Sequence, residues 1–320
     1  MKKIRKISKL FLESLIIFSC LFLLNNLFNY LKLSEQKQGN EFDNTSVVNS
    51  EKEDDLLQNN NNINNENDNL RNMKVHYIDV EEGDSIFIEL PNEKTMLIDA
   101  GEAVEGKKVI NYIKQLGYSN IDYVVGTHPH TDHIGGLAQV INSFSVCKIY
   151  MPKVISTSKT YENLLDTISM KGLKIRTAKA GINIINENNL LIDIIAPNND
   201  SYSDLNNYSV VIKITYKNRK FIFMGDAEMI SENEILTDVT ADVVKVGHHG
   251  SNTSSGQNFV DRVNAKYAII SVGSDNNYNH PNMNIVNRWE NSGAKVYRTD
   301  LSGTIIAITD GNALSIETEK

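Results

Sequence analysis

The chain has 320 residues, 41% of them hydrophobic, and a formal charge of −8. That length allows one or two domains, and the acidic balance excludes the basic footprint of a nonspecific nucleic-acid binder. Two cysteines, Cys20 in the leader and Cys147 beyond the first expected helix, leave no internal disulfide for the mature domain and no thiolate ligands.

The first 33 residues carry Lys2, Lys3, Arg5, Lys6 and Lys9, then an apolar stretch whose cleanest run is 15–24. This pattern predicts a single-pass membrane anchor with the N-terminus in the cytoplasm and the remainder outside. The alternative is a cleaved signal and secretion. Ile17-Phe18-Ser19-Cys20 loosely resembles a lipobox, but the greasy residues after Cys20 argue against a lipoprotein terminus. Residues 34–72 contain 12 asparagines and nine acids, with almost no large apolar residues. They cannot bury enough surface to offset their ordering entropy, so they read as a disordered acidic linker. The leader contributes +5 and the linker −6, which leaves −7 on residues 73–320.

From residue 73 onward, apolar runs and turn residues predict strands at 75–80, 85–90 and 95–99 and a helix at 107–116. A strand at 123–126 then leads into Thr127-His128-Pro129-His130-Thr131-Asp132-His133, followed by Gly135-Gly136 and a helical run from Leu137. Three imidazoles and a carboxylate within six residues predict a metal site, because divalent ions of the zinc class take imidazole nitrogen and carboxylate oxygen at short distances. Strands are expected at 190–196, 209–216, 220–224, 243–246 and 267–272, with helices at 231–236 and 285–291. The strand at 220–224 stops at Gly225-Asp226, and that at 243–246 stops before His248-His249. Ligands spread over separate strand ends are how a rigid scaffold builds a two-ion site. Of the seven histidines only His76 lies outside these motifs; the last is His280, before Pro281.

These residues resemble the metallo-β-lactamase superfamily, with its His-x-His-x-Asp-His loop, bridging Asp and late His. Within it the segments His76 to Ser85, Met96 to Gly101, Met224 to Glu228 and Lys245 to Ser251 are similar to the hydrolase domain of ComEC-type DNA-uptake proteins and their free-standing relatives. The resemblance runs from about Met73 to about Thr309 and implies an α/β fold, an αββα sandwich. Two departures stand out: Glu81-Glu82 occupies a place where the family usually has Gly-Gln, and Asn207 lies where many members supply a further histidine.

The resemblance and the donor chemistry together imply that His128 and His130 hold one metal. Asp132, His133 and His248 would hold the other, with Asp226 and a hydroxide between the two. Zn or Mn would suit such a site, with Asn207 or water completing one shell. Asp99 reads as a support that orients an imidazole, and Asp84 as either such a support or a turn residue. His249 could be a support too, and His249, His280, Lys245 or Ser251 could bind phosphate or protonate a leaving group. Cys147 reads as a small core residue.

The chemistry expected is hydrolysis by a metal-bridging hydroxide, which suits a phosphodiester because two cations neutralise the phosphoryl oxygens. DNA or another phosphodiester is the expected substrate, the membrane is expected as a partner through the leader, and no protein partner is expected. The alternatives are an acyl hydrolase acting on a lactone, thioester or β-lactam, and a metal-loaded binding module without turnover. Basic groups at 171–179 and 213–220 read mainly as solvated strand faces rather than a nucleic-acid groove.

Overall fold

The computed structural model describes residues 71–320; the expected anchor and all but the last two residues of the expected linker lie outside the described residues. Among the described residues no helix is long and apolar enough to cross a membrane.

In chain order the elements are β1 (Met73–Tyr77), β2 (Ile86–Glu89), β3 (Thr95–Ile98), α1 (Gly106–Gln115), β4 (Asn120–Val125), α2 (Thr131–Ile134), α3 (Leu137–Ser143) and β5 (Ser145–Met151). Next come α4 (Lys159–Met170), β6 (Ile175–Thr177), β7 (Ile182–Glu187), β8 (Leu190–Ala196), β9 (Val211–Tyr216), β10 (Arg219–Phe223), α5 (Met229–Glu234) and β11 (Val243–Lys245). The last are α6 (Gln257–Val263), β12 (Tyr267–Ile270), α7 (Met283–Asn291), β13 (Lys295–Arg298), α8 (Thr299–Ser302), β14 (Ile305–Thr309) and β15 (Leu314–Thr318).

One sheet runs β15-β14-β1-β2-β3-β4-β5-β6 and the other β13-β12-β11-β10-β9-β8-β7. The core falls into three layers. Alternate residues of both sheets, such as Tyr77, Ile98, Ile212 and Phe223, meet in a central cluster between them. The opposite face of the first sheet packs Leu97 and Val124 against Val109 and Ile113 of α1, Val140 of α3 and Leu164 of α4. The outer face of the second sheet packs Ile222 and Val244 against Phe259 of α6 and Trp289 of α7. This is the expected αββα sandwich, and the reason is period: strands apolar on both faces need a cover on each side, and helices apolar on one stripe supply it. Ser158 starts α4 by accepting from the Tyr161 amide, after which Tyr161, Leu164 and Ile168 repeat on the buried stripe.

Several expectations change. β5, β6, β7, β13, β14, β15, α4 and α6 lie outside the expected elements; most are short strands with little periodic signal, whereas α4 carries an apolar stripe behind its Ser158 cap. Cys147 is exposed on β5, where the side chains alternate sides, and is not a core residue. The basic run of the second sheet is largely paired: Lys213 and Lys220 hold Asp238, and Arg219 holds Asp242. It is not the solvated face expected: Lys213 is buried, and Arg219 and Lys220 are half-buried.

The strands that matter for the site are parallel to their neighbours. β3 lies parallel to β4, with Ile98 opposite Val125, and β10 lies parallel to β11, with Phe223 opposite Lys245. Their C-terminal ends therefore discharge four loops at one rim of the sandwich, where open α/β sheets place their ligands. The Val210 amide donates to the Thr127 carbonyl at 3.0 Å, tying the loop after β4 to the start of β9 in the other sheet.

Candidate metal centre

The loop after β4 begins with a clamp. Asp99, directly after β3, adopts a left-handed backbone (φ 56°). One of its carboxylate oxygens accepts from the Thr127 amide at 2.8 Å, and the other accepts from Thr127 Oγ1 at 2.6 Å and His133 Nδ1 at 2.9 Å. With its Nδ1 proton given to Asp99, His133 presents a bare Nε2 lone pair to the cleft. His128 is arranged alike, its Nδ1 lying 3.1 Å from Thr127 Oγ1 and 3.3 Å from Ser209 Oγ.

Asp226 follows β10 through Gly225, whose φ of 52° makes the turn. Ser209 Oγ fixes this turn by accepting from the Asp226 amide at 3.0 Å. After β11 the backbone turns again, with His248 and His249 both left-handed (φ 50° and 49°). Each costs about 1–2 kcal/mol relative to the right-handed form, strain of the kind found where a side chain must be aimed.

Four side chains converge. His133 Nε2 lies 3.2 Å from Asp226 Oδ1, 3.6 Å from Asp132 Oδ2 and 3.2 Å from His249 Nε2. His249 Nε2 lies 3.4 Å from both carboxylates. A tetrahedral ion with bonds of about 2.0–2.1 Å has donor atoms about 3.3–3.4 Å apart, so these spacings fit one. A second group consists of His128, His130 and Asp226: His128 Nε2 is 2.9 Å from His130 Nδ1 and 3.7 Å from Asp226 Oδ2. Asp226 thus turns one oxygen to each group. Its Oδ1 is buried and accepts no hydrogen bond among the described residues. An orphaned carboxylate oxygen facing two imidazole lone pairs fits a divalent cation and little else.

The electrostatics agree. Burial works to lower His249, but the charges of Asp226 and Asp132, each 3.4 Å from its Nε2, outweigh it, and the ring is pushed up to about 10. His133 rises well above its ordinary value against burial for the same reason, while burial and the neighbouring His133 hold His128 far below its own. A site whose carboxylates attract protons this strongly attracts divalent cations equally, and a metal would compete with those protons.

His248 and His249 exchange the places expected of them. His249, not His248, joins Asp132, His133 and Asp226, and its Nδ1 donates to the Ser271 carbonyl at 2.9 Å. His248 lies 3.8 Å from Asp226 Oδ2, with its Nδ1 on Thr253 Oγ1. Strand alternation cannot be extended through two left-handed residues, which is why position after the strand misleads.

Lys245 is also misplaced by sequence. Its side chain is fully buried, its ammonium sits 2.5 Å from Asp84 and donates to the Gly225 carbonyl, and it does not line the cleft. Asp84 stands 3.7 Å from His249 Nδ1, beyond hydrogen-bond distance, and its carboxylate pairs with Lys245 instead. Asn207 donates to Glu228, and its oxygen accepts from the Glu228 and Ser231 amides, so it completes neither group.

His280 does line the cleft, a volume of about 370 Å³ shared with His130, Asp132, Asp226, His248 and His249. Its Nδ1 lies 3.3 Å from Glu82 Oε1, and Glu82 Oε2 accepts from the Gly273 amide. Burial would raise Glu82, but the His280 hydrogen bond and the charge of His249 outweigh it and keep the carboxyl below its ordinary value. Sequence reading missed Glu82, although its departure from the family pattern was the signal.

Gly83 lets this loop reach the site. Its φ is 125°, and a Cβ there would lie 2.2 Å from the Asp132 carbonyl oxygen, the acceptor of the Asp84 amide. Gly83→Ala is expected to destabilise the fold by about 3 kcal/mol or more, read by urea denaturation, since clash and left-handed strain combine.

Residues 251–256 are fastened from below by Glu232, whose carboxylate accepts from the Ser255 and Gly256 amides. Burial outweighs these hydrogen bonds and raises Glu232 from an ordinary 4.5 to about 7. A carboxyl raised in the folded state stabilises fully below its unfolded pKa and loses that contribution as pH rises through the folded one. Stability is therefore expected to fall by about 3 kcal/mol between pH 4.5 and 7 from this group. Urea midpoints across that range should show the slope, and Glu232→Gln should flatten it.

The family model described as the metallo-beta-lactamase superfamily matches residues 78–274. The chain belongs to that superfamily. It has the superfamily's hydrolase fold with a His/Asp cluster suited to divalent metals. ComE operon protein 3 of Bacillus subtilis (strain 168) is 30% identical over 72% of this chain and 32% of its own length. Competence protein ComA of Neisseria gonorrhoeae is 26% identical over 71% of this chain and 31% of its own length. Recombination protein 2 of Haemophilus influenzae is 25% identical over 72% and 28%. The chain spans about a third of the length of these curated relatives. The crystal structure of CmlA, a diiron beta-hydroxylase from Streptomyces venezuelae, shares the fold with a TM-score of 0.50 and 14% identity, covering 74% of this chain and 54% of that one.

Proposed function

We propose that this metallo-β-lactamase superfamily member is a phosphodiesterase acting on DNA or a related polymer outside the cytoplasm. The observation that carries the reading is Asp226, with one oxygen in each of two ligand groups at the floor of an open cleft. Its relatives bear the names of competence and recombination proteins, which favours nucleic acid over an acyl substrate. The basic residues ahead of the apolar run at 15–24 support placement across a membrane.

In this proposal Asp132, His133, His249 and Asp226 hold one ion, and His128, His130 and Asp226 the other, with Zn or Mn as candidates. Bound there, two such ions would lower the pKa of water and offset charge on a phosphoryl group. The protein's own groups do the rest. Asp99 and the Ser271 carbonyl hold the Nδ1 protons of His133 and His249, keeping both Nε2 atoms aimed inward. Glu82 holds His280 through Nδ1, leaving Nε2 as its free nitrogen on the cleft side, available to bind phosphate or to give a proton to the leaving oxygen.

The test is hydrolysis of bis-p-nitrophenyl phosphate and single-stranded DNA by the full chain, stripped and reloaded with Mn²⁺ or Zn²⁺. Both substrates should be cut only with metal, and Asp132→Ala should lower the rate about 10²-fold or more. Cleavage of a lactone with neither diester touched would overturn the reading in favour of an acyl hydrolase.

A further inference from the structure

A second cavity of about 510 Å³ opens beside the metal cleft. Leu205 lines both, and the segment between β5 and α4 runs along both, with Ser156 and Ser158 on the metal side and Lys153 and Ile155 on the other. The two volumes therefore adjoin at Leu205, with the metal centre in one of them. The metal cleft alone lies near the lower limit of about 300–1,000 Å³ typical of small-ligand pockets.

The second cavity has a distinct chemistry. Ile155 is 90% exposed at its edge, far more than an isoleucine gains by folding. Across it stand Tyr202 and Tyr208, their rings 5.2 Å apart and edge to face. They are locked: the Tyr208 hydroxyl accepts from the Tyr202 amide, and the Tyr202 hydroxyl donates to Glu234. The Tyr161 hydroxyl pins the facing segment by donating to the Val154 carbonyl at 3.0 Å. Lys179 on the floor is paired with Asp200 at 2.6 Å. Lys153 is exposed, and among the described residues no carboxylate lies within ion-pair distance of it.

We propose that this second cavity is the track for the strand flanking the scissile phosphate, so that the substrate is a single-stranded polynucleotide rather than a small diester. The proposal rests on the phosphodiesterase reading above. An exposed cation in no direct ion pair, its nearest acid Asp200 being held by Lys179, beside rigid aromatic and apolar surface is what single-stranded nucleic acid binds: the cation takes a phosphate, and bases lie on the side chains. Lys153 takes the phosphate, and Ile155 with Tyr208 takes an unstacked base. A duplex offers no free base faces and gains nothing from this surface.

The experiment measures binding of a fluorescein-labelled 12-nucleotide single strand to the full chain by anisotropy over a salt series, beside hydrolysis of bis-p-nitrophenyl phosphate. Lys153→Met should weaken strand binding about fivefold and reduce the slope of log affinity against log salt by about 0.7, one lost phosphate contact. Ile155→Ser should weaken binding with the salt slope unchanged. Lys107→Glu, an exposed charge change on α1, none of whose residues lines either cavity, should alter neither. All three should cleave bis-p-nitrophenyl phosphate as the parent chain does. If Lys153→Met and Ile155→Ser bind the strand like the parent while the small diester is still cut, the track is overturned and the phosphodiesterase reading stands. If strand binding depends on Lys153 and Ile155 but no diester is cut, the track stands and the catalytic reading falls.

Discussion

Asp226→Ala is expected to leave the chain with fewer than one bound divalent ion and to lower phosphodiester hydrolysis about 10³-fold, more than any other single change in the cleft. Asp226 belongs both to the group of Asp132, His133 and His249 and to that of His128 and His130, so its removal takes a donor from each at once. It also leaves the Nε2 atoms of His133 and His249, 3.2 Å apart, without the negative charge that lets both face one point. His248→Ala is the informative contrast. Its ring belongs to neither ligand group, so metal content should stay near two ions and the loss of rate should be smaller. Metal analysis of both purified variants checks this, and two retained ions in Asp226→Ala would falsify the assignment.

The second large effect belongs to Lys245. Removing its ammonium by Lys245→Ala strands the Asp84 carboxylate, which is 1% exposed and has one oxygen already without a hydrogen bond. Breaking one side of a buried ion pair costs about 3–5 kcal/mol, because the partner's charge remains desolvated. Here the unpaired charge would also stand 3.7 Å from His249 and 3.9 Å from His133, so the ligands should lose their alignment with the fold. Urea denaturation should show the loss, and metal affinity should fall with it. Lys245→Met combined with Asp84→Asn removes both charges and should recover more than half of the stability. A single variant as stable as the parent would show that the pair contributes nothing.

Much of the site was legible because its donors are crowded in sequence. His128, His130, Asp132 and His133 lie within one turn after one strand, and no ordinary core uses that composition. Asp99 could be read as an imidazole support because a lone acid ending an apolar run is costly unless it has a partner. Glu82, Lys245 and the His248/His249 choice were not legible in the same way. Glu82 and His280 are 198 residues apart and meet only through the stacking of two sheets. Lys245 reads as a candidate to bind phosphate or protonate a leaving group, yet its ammonium points inward to a carboxylate 161 residues earlier. The strands missed at the edges of the sheets are short or half-exposed, and edge strands carry the weakest alternation.

The sequence by itself determined most donor groups, because ligand chemistry is a local property of the chain, and the sandwich was legible through the resemblance that those motifs carry. Tertiary structure alone decided which histidine faces the cleft, since two successive left-handed residues reverse what strand alternation predicts. It also decided that Lys245 serves the fold rather than the substrate, because whether a charge is solvated or paired depends on what the opposite layer brings to it.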